Sequence, residues 1–211
     1  RGFADPSDPF MPITAITVHL QWLDLLVTLV IPPKAMRTGE GLAEAQRICD
    51  QFPNTELYLN EGDMLNDFMD VIEDADVLTG WNSEGYDIPY TVNRITKILS
   101  KSHTRKLCLW DLYPQKRKVM KYGKEQETFD LFGRIHLDYL ELYRKYTYHE
   151  MHSYALDTIG QHEVGERKVI YEGTLDQLYN NDFFKFIEYN RQDTALLDKL
   201  DKKLRFIELA N

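Results

Sequence analysis

The fold is decided by the stretch Ala75-Asp-Val-Leu-Thr-Gly-Trp-Asn-Ser-Glu-Gly-Tyr-Asp-Ile-Pro-Tyr90. Its short apolar run, Val77-Leu78, ends at Gly80, a pattern typical of a buried strand. A polar turn follows, and Pro89 indicates the start of a helix. A strand that feeds a helix in this way presents its last carboxylate in the crevice outside the sheet, where open α/β folds bind ligands. We therefore expect Asp87 to hold a metal ion or to orient a water molecule.

Two short motifs in the chain match those of one enzyme family. Asn82, Tyr86 and Asp87 fill the pattern Asn-x-x-x-(Phe/Tyr)-Asp, and Tyr189-Asn-Arg-Gln-Asp193 fills the pattern Tyr-x-x-x-Asp. The second pattern alone is common by chance as an exposed pair on a helix, so it needs the first as context. Together they resemble the second and third exonuclease motifs of family B DNA polymerases. Nearly the whole chain is similar to the 3′→5′ proofreading domain of T-even-type phage polymerases.

The resemblance implies an α/β fold of the ribonuclease-H-like (DEDD exonuclease) class, in which a mixed sheet is flanked by helices. It implies a single domain over residues 1–211, with an inserted basic β-hairpin at residues 116–132. A length of 211 residues, with 43% hydrophobic and 28% charged residues, fits one globular domain with a sizeable core.

The expected chemistry is hydrolysis of a phosphodiester. Tyr189 and Asp193 are four residues apart, so helical spacing places them on one face, where they could face Asp87 across a crevice. Carboxylates are ligands that Mg²⁺ prefers, and two divalent ions can supply the hydroxide, neutralise charge and stabilise the leaving oxygen. The resemblance implies that Asp87 and Asp193 bind Mg²⁺ or Mn²⁺, and that Tyr189 orients the attacking water.

The implied partner is the single-stranded 3′ end of primer DNA. Trp81 and Tyr86 offer ring faces on which unpaired bases could stack, and Asn82 lies between them. The net charge of −9 argues against a nucleic-acid binder, but residues 94–124 contain ten Lys/Arg against one acid. In the family, the hairpin inserted at this position contacts the primer–template junction. We therefore expect four residues of the hairpin to bind DNA: Arg117, Lys118, Lys121 and Lys124. The alternative is a solvated insertion whose charge only maintains solubility.

Hydrophobic periodicity predicts the order of the elements. The predicted elements are a hairpin of residues 13–21 and 25–31, a helix at 42–52, a strand at 56–59, a helix capped by Asn60, the strand that ends at Gly80, a helix at 89–99, a strand–turn–strand unit at 119–132 with its turn at Tyr122-Gly123-Lys124, a strand at 133–137, a helix capped by Asp138, a helix capped by Ser153, a helix capped by Thr174 and a last helix at 182–209. No run of 18 apolar residues occurs, so we expect no membrane span. Cys49 and Cys108 are expected to be reduced thiols of a cytoplasmic protein, in the host cell if the source is a phage.

The sequence departs from the family in one respect, because Asp-x-Glu, the first exonuclease motif, occurs nowhere in the 211 residues. The motif belongs to the first, central strand of the fold, so we expect the chain to be truncated before that strand. Loss of two of four carboxylates disturbs an octahedral Mg²⁺ site, and we expect little or no nuclease activity from the fragment alone. The missing strand would leave unpaired sheet edges, which favour self-association.

Two classes of function remain open from the sequence. The chain is either a proofreading exonuclease domain that acts with the remainder of a polymerase chain, or a non-catalytic DNA-binding or assembly module of a split or truncated polymerase. A ribonuclease-H-like nuclease unrelated to polymerases is a weaker third reading, because the basic hairpin argues against it.

Overall fold

The computed structural model describes residues 4–121 and 123–210 and divides the chain into two compact units. The first unit comprises Arg1–Pro12, Leu65–His152 and Arg205–Asn211, and the second comprises Ile13–Met64 and Ser153–Leu204. Within the described residues, no helix combines the length and the apolar character that a membrane span requires.

Strands and helices alternate along the chain, and the α/β class predicted from the sequence is confirmed. In chain order the elements are β1 (Ala15–Leu20), β2 (Leu25–Val30), α1 (Gly39–Cys49), β3 (Thr55–Leu57), α2 (Glu61–Val71), β4 (Val77–Gly80), α3 (Asp87–Ile98), β5 (Gln115–Lys121), β6 (Lys124–Asp130), β7 (Ile135–Asp138), α4 (Tyr139–Tyr146), α5 (Leu156–Val164), α6 (Leu175–Asn181), α7 (Phe183–Leu204) and α8 (Phe206–Ala210). A 3₁₀ helix at Lys101–Leu107 follows α3.

The second unit is built on a mixed three-stranded sheet in the order β1-β2-β3. The predicted hairpin forms, with β1 antiparallel to β2, and β3 adds to β2 in parallel. Helix α7 packs against β1 and β2. From α7 the guanidinium of Arg191 donates hydrogen bonds to the hydroxyls of Thr28 (3.0 Å) and Thr55 (3.1 Å), one on each of the parallel strands. The buried core beside them is apolar and includes Val30, Cys49 and Ile187.

The first unit contains the two-stranded sheet β4-β7, whose strands are parallel, and the hairpin β5–β6, which packs against α3 through β6. The buried guanidinium of Arg134 donates to the carbonyls of Ile72, Glu73 and Ala75. It thereby holds the turn that leads from α2 into β4. The Pro/Asp-rich segment at residues 4–12 contains no helix or strand and is tied to α3 by hydrogen bonds such as that from the Tyr90 hydroxyl to the Met11 carbonyl (2.7 Å).

The local helix signals are confirmed in part. Asn60 accepts a hydrogen bond from the Asp63 N–H, Asp138 accepts one from the Leu140 N–H, and Thr174 forms a full capping box with Gln177. The predicted turn residue Tyr122 lies outside the described residues.

Three helix predictions are wrong at their ends. The helix predicted at 42–52 spans Gly39–Cys49, because the chain leaves the helix at Asp50, before Pro53. The helix predicted to begin at Ser153 begins at Leu156, because Ser153 accepts only a local bond from the Ala155 N–H. The predicted last helix is two helices, because Arg205 adopts a left-handed conformation (φ 55°) that an α-helix cannot continue through.

Candidate functional site

The motif loop, which we define as Trp81–Tyr86, connects the end of β4 to the first residue of α3. Because β4 and β7 are parallel, their carboxyl ends meet at one edge of the sheet, and Gly80 lies opposite Asp138. This pairing brings a carboxylate from 56 residues later in the chain beside the motif loop.

The carboxylate of Asp138 anchors the motif loop. Oδ1 accepts hydrogen bonds from the N–H of Asn82 (3.0 Å) and of Leu140 (3.1 Å), and Oδ2 accepts from the N–H of Glu84 (3.1 Å). Asp138 is only 7% exposed, so these bonds are largely screened from water. One buried side chain therefore both caps α4 and fixes the backbone of the loop that carries Asn82.

Lys121, at the end of β5, connects the hairpin to this anchor. Its ammonium lies 2.7 Å from Asp138 Oδ2, 3.2 Å from Glu84 Oε2 and 3.4 Å from Glu141 Oε1, and the residue is 5% exposed. Burial acts to lower the pKa of Lys121, but the hydrogen bond and charge of Asp138, together with Glu84, raise it above its ordinary value. Lys121 thus stays charged and its ammonium is committed to carboxylates of the protein.

A second contact fixes the motif loop through Ser83. The Ser83 hydroxyl donates to the carbonyl of Gly80 (3.1 Å) and lies 2.9 Å from Nε2 of His136 on β7. A Cβ atom on Gly80 would approach the Ser83 Cβ to 2.8 Å, so only glycine fits this turn without displacement. Burial lowers the pKa of His136 below its ordinary value, which favours the neutral imidazole at this contact.

Asp87 is the first residue of α3, two residues earlier than the start that Pro89 indicated. Its side chain is exposed, yet the surrounding protein desolvates the carboxyl. Desolvation raises the pKa of Asp87 to about 6. The negative charge of Asp138 acts in the same direction, and a hydrogen bond from the backbone N–H of Asp87 acts against it. Because the side chain is exposed, this carboxyl is open to a ligand.

The other predicted catalytic residues lie in the second unit, on one face of α7. Lys168 Nζ donates to Asp193 Oδ2 (2.6 Å) and to the Tyr189 hydroxyl (3.3 Å), and it lies 5.3 Å from the centroid of the Tyr189 ring. Tyr171 packs edge-on against the same ring at 5.2 Å. The structure therefore groups Tyr189 and Asp193 with Lys168, a residue that the sequence analysis missed because it lies in a segment without periodicity.

Two motif residues carry buried oxygen atoms without a hydrogen-bond partner among the described residues, Asn82 Oδ1 and Asp193 Oδ1. Buried polar atoms are normally hydrogen-bonded, and one that is not is explained by a water molecule, an ion, strain or a catalytic role. Burial raises the pKa of Asp193, against the opposing effect of Lys168. One oxygen of Asp193 is thus paired and the other is available. A hard divalent cation fits the free carboxylate oxygen of Asp193 within the second unit, and the exposed carboxylate of Asp87 in the first unit is a donor of the same kind.

The predicted DNA-binding residues have different surroundings. The Trp81 ring packs 6.3 Å from Tyr139 and 6.1 Å from Tyr143, measured between centroids, and Tyr86 stacks on Tyr90 at 5.4 Å.

Much of the positive charge of the hairpin is paired within the first unit. The pairs are Lys116 with Glu127, Arg117 with Glu84 and Asp130, and Lys118 with Glu125. Lys124 lies exposed at the start of β6.

The anchor predicts an energetic coupling between Lys121 and Asp138. In a double-mutant cycle of Lys121→Met and Asp138→Asn, we expect each single change to destabilise the chain and the two to be non-additive by about 1–3 kcal/mol, since each leaves a buried charge or donor unpaired. Urea unfolding measures the free energies. The matched control is the cycle of Lys118→Met and Glu125→Gln, an exposed pair on the same hairpin, for which we expect no measurable coupling. Equal coupling in the two cycles would contradict the anchor.

His136 predicts a pH dependence of stability. Its pKa is lowered on folding from the ordinary value of 6.5, so below that pH the unfolded chain binds a proton that the folded chain resists. The free energy of unfolding should therefore fall as the pH is lowered from about 7 to about 5. His136→Gln should make this fall shallower, whereas His152→Gln at an exposed position should leave it unchanged. Identical pH profiles for the parent and His136→Gln would show that the imidazole is not held neutral.

Comparison with known proteins places this geometry in a family. The family described as "DNA polymerase family B, exonuclease domain" matches residues 1–159. The chain is 32% identical over 152 residues to the DNA-directed DNA polymerase of Enterobacteria phage T4, an alignment that covers 71% of this chain and 17% of that protein. It is 30% identical over 230 aligned positions to the DNA-directed DNA polymerase of Escherichia phage RB69, covering 99% of this chain and 25% of that protein.

A more distant relative is the DNA polymerase of Bombyx mori nuclear polyhedrosis virus, with 28% identity over 165 residues, 75% of this chain and 16% of that protein. The chain thus spans a quarter or less of the length of these relatives. The matched residues include the motif loop, and the family accounts for the mixed α/β architecture. The chain belongs to the family B DNA polymerases and is an exonuclease domain of the ribonuclease-H-like fold.

Proposed function

We propose that the chain carries the 3′→5′ proofreading exonuclease of a DNA-directed DNA polymerase and hydrolyses the 3′-terminal phosphodiester of primer DNA. The observation that carries the proposal is the state of Asp193. One of its oxygens is paired with Lys168 at 2.6 Å, and the other is buried without a partner among the described residues. A carboxylate held in this way is preorganised for a further cationic ligand.

The proposed ligands of that cation are Asp87 and Asp193. When bound, Mg²⁺ or Mn²⁺ would neutralise charge at the phosphate and lower the pKa of a water molecule. Tyr189, whose hydroxyl accepts from Lys168 at 3.3 Å, orients the attacking water. Burial raises the pKa of Tyr189, so its hydroxyl keeps its proton at neutral pH and can donate to a nucleophile.

The proposed DNA contacts follow the motif loop and the hairpin. Trp81 and Tyr86 stack the unpaired 3′ bases and Asn82 bonds to the terminal nucleotide, while Lys118, Lys124 and Arg117 contact phosphates. We assign Lys121, also expected to bind DNA, to the anchor instead, because its ammonium is buried among three carboxylates. The remainder of a polymerase chain is the proposed protein partner, and the cytoplasm, of the host cell if the source is a phage, is the proposed location.

A second candidate is a non-catalytic DNA-binding or assembly module. It is favoured by one observation, the absence of Asp-x-Glu from the 211 residues. On this reading Asp87 and Asp193 keep their positions without supporting hydrolysis, and self-association through unpaired strand edges accompanies it.

Hydrolysis of a single-stranded oligonucleotide tests the proposal. The 211-residue chain should degrade the oligonucleotide weakly with Mg²⁺ or Mn²⁺, and faster when a peptide spanning an Asp-x-Glu strand is added. Asp193→Asn should lower the rate by at least about 100-fold, because it removes a cation ligand. Glu188→Gln, an exposed carboxylate on the same helix, should not change it.

A readout without hydrolysis separates the two candidates. Mn²⁺ should raise the melting temperature of the parent chain and of Glu188→Gln, but not that of Asp193→Asn. DNA binding without hydrolysis in every condition, together with no effect of Mn²⁺, would reject the enzyme and favour the binding module.

A further inference from the structure

The turn Leu109–Leu112, between the 3₁₀ helix and β5, presents an unusual surface residue. Trp110 is 77% exposed, and Leu112 and Tyr113 beside it are 43% and 44% exposed. A tryptophan in contact with water over most of its surface contributes little to the stability of a fold. Its exposure therefore calls for another explanation.

The backbone of this turn is held in a conformation that disfavours the residues it contains. Trp110 and Asp111 both have positive φ values, 57° and 58°, and the N–H of Leu112 donates to the Leu109 carbonyl at 3.3 Å. Two successive positive φ values closed by such a bond are typical of a type I′ turn, which favours Asn and Gly. A bulky residue there is strained, and strain of this kind persists where the surroundings enforce it.

The surroundings of the turn do enforce it. Arg105 donates from Nε to the Asp111 carbonyl (2.9 Å) and also pairs with the Asp111 carboxylate. The N–H of Leu109 donates to the Phe132 carbonyl at 2.8 Å. Gly133 leaves room for Leu109 and for one edge of the indole, since a Cβ atom there would lie 2.5 Å from Leu109 Cβ and 3.2 Å from Trp110 Cζ3. The indole is thus exposed but not free to collapse onto the protein, as a preorganised binding group should be.

Positive charge surrounds the neighbouring ring. Lys101 Nζ lies 5.6 Å and Arg105 Cζ 5.3 Å from the centroid of Tyr113. Lys101 forms no ion pair with a carboxylate in the part of the chain that the structure describes, and the one acid of the basic segment, Asp111, is paired with Arg105. The two rings and the two cations, which we call the Trp110 platform, therefore combine stacking faces with net positive charge.

We propose that the Trp110 platform binds single-stranded DNA, with bases stacked on Trp110 and Tyr113 and a phosphate paired with Lys101, while Arg105 stays paired with Asp111 and holds the turn. A protein partner with an apolar face would leave Lys101 desolvated and without a counter-ion, whereas a DNA strand supplies an anion for each base it stacks. The platform takes its ligand class from the proposed function, but it is a separate surface from the motif loop and requires no hydrolysis.

Anisotropy of a fluorescent oligo-dT, measured in EDTA at low salt, tests the platform in the 211-residue chain. Trp110→Gly is the decisive variant, because glycine suits the positive φ and the variant should fold at least as stably as the parent. We expect Trp110→Gly and Tyr113→Ala each to weaken binding about tenfold, as loss of one stacked base does.

The matched control is Trp22→Ala, which removes another exposed tryptophan (52%) and should change the affinity for oligo-dT less than about twofold. Lys101→Gln should lower the slope of log affinity against log salt by about one.

Two results would overturn the proposal. The first is the absence of a DNA effect: either the parent chain does not bind oligo-dT, or Trp110→Gly and Tyr113→Ala bind it with unchanged affinity. The second is unchanged affinity together with loss of self-association of Trp110→Gly in sedimentation, which would make the surface a protein interface. A failure of metal-dependent hydrolysis with the binding pattern intact would reject the proposed exonuclease and leave the platform standing.

Discussion

The carboxylate of Asp138 is the interaction on which the geometry of the motif loop depends. It accepts three backbone N–H groups and one ammonium while almost fully removed from water. Hydrogen bonds to an ionised acceptor are stronger than neutral ones, and each donor here would be costly to leave unpaired. Because Lys121 comes from the hairpin and the Asn82 N–H from the loop, a single buried charge fixes both relative to β7. The position of Asp87, at the end of that loop, follows from this anchor.

The arrangement of charge on the first unit is the second constraint. The sequence contains a strongly basic segment, yet in the folded chain cross-strand partners on β6 neutralise much of the hairpin. Pairs of this kind on adjacent strands add modest stability and reduce the long-range field. Positive charge next to exposed aromatic faces remains at Tyr113, where Lys101 and Arg105 lie near one ring. Local pairing, rather than the count of lysines and arginines, therefore determines which surface can attract DNA.

Local signals in the sequence were sufficient for β4, for the hairpins and for the caps at Asn60, Asp138 and Thr174, because each depends on neighbours within a few residues. They were insufficient for three features. The second role of Asp138 depends on the pairing of β7 with β4, a contact 56 residues apart in sequence. Lys168 reaches Asp193 from a loop without periodicity, and the break at Arg205 depends on a left-handed backbone that arginine does not signal. In each case the decisive partner is distant or the residue type is neutral.

The central claim is that Asp138 holds the motif loop as well as capping α4, and amide hydrogen exchange tests it most directly. Measured by NMR on the 211-residue chain, the N–H groups of Asn82 and Glu84 should exchange slowly, at rates similar to that of Leu140, because all three donate to the same buried carboxylate. Exchange of Asn82 and Glu84 at the rates of an open loop, with Leu140 still protected, would show that Asp138 only caps the helix and would contradict the account.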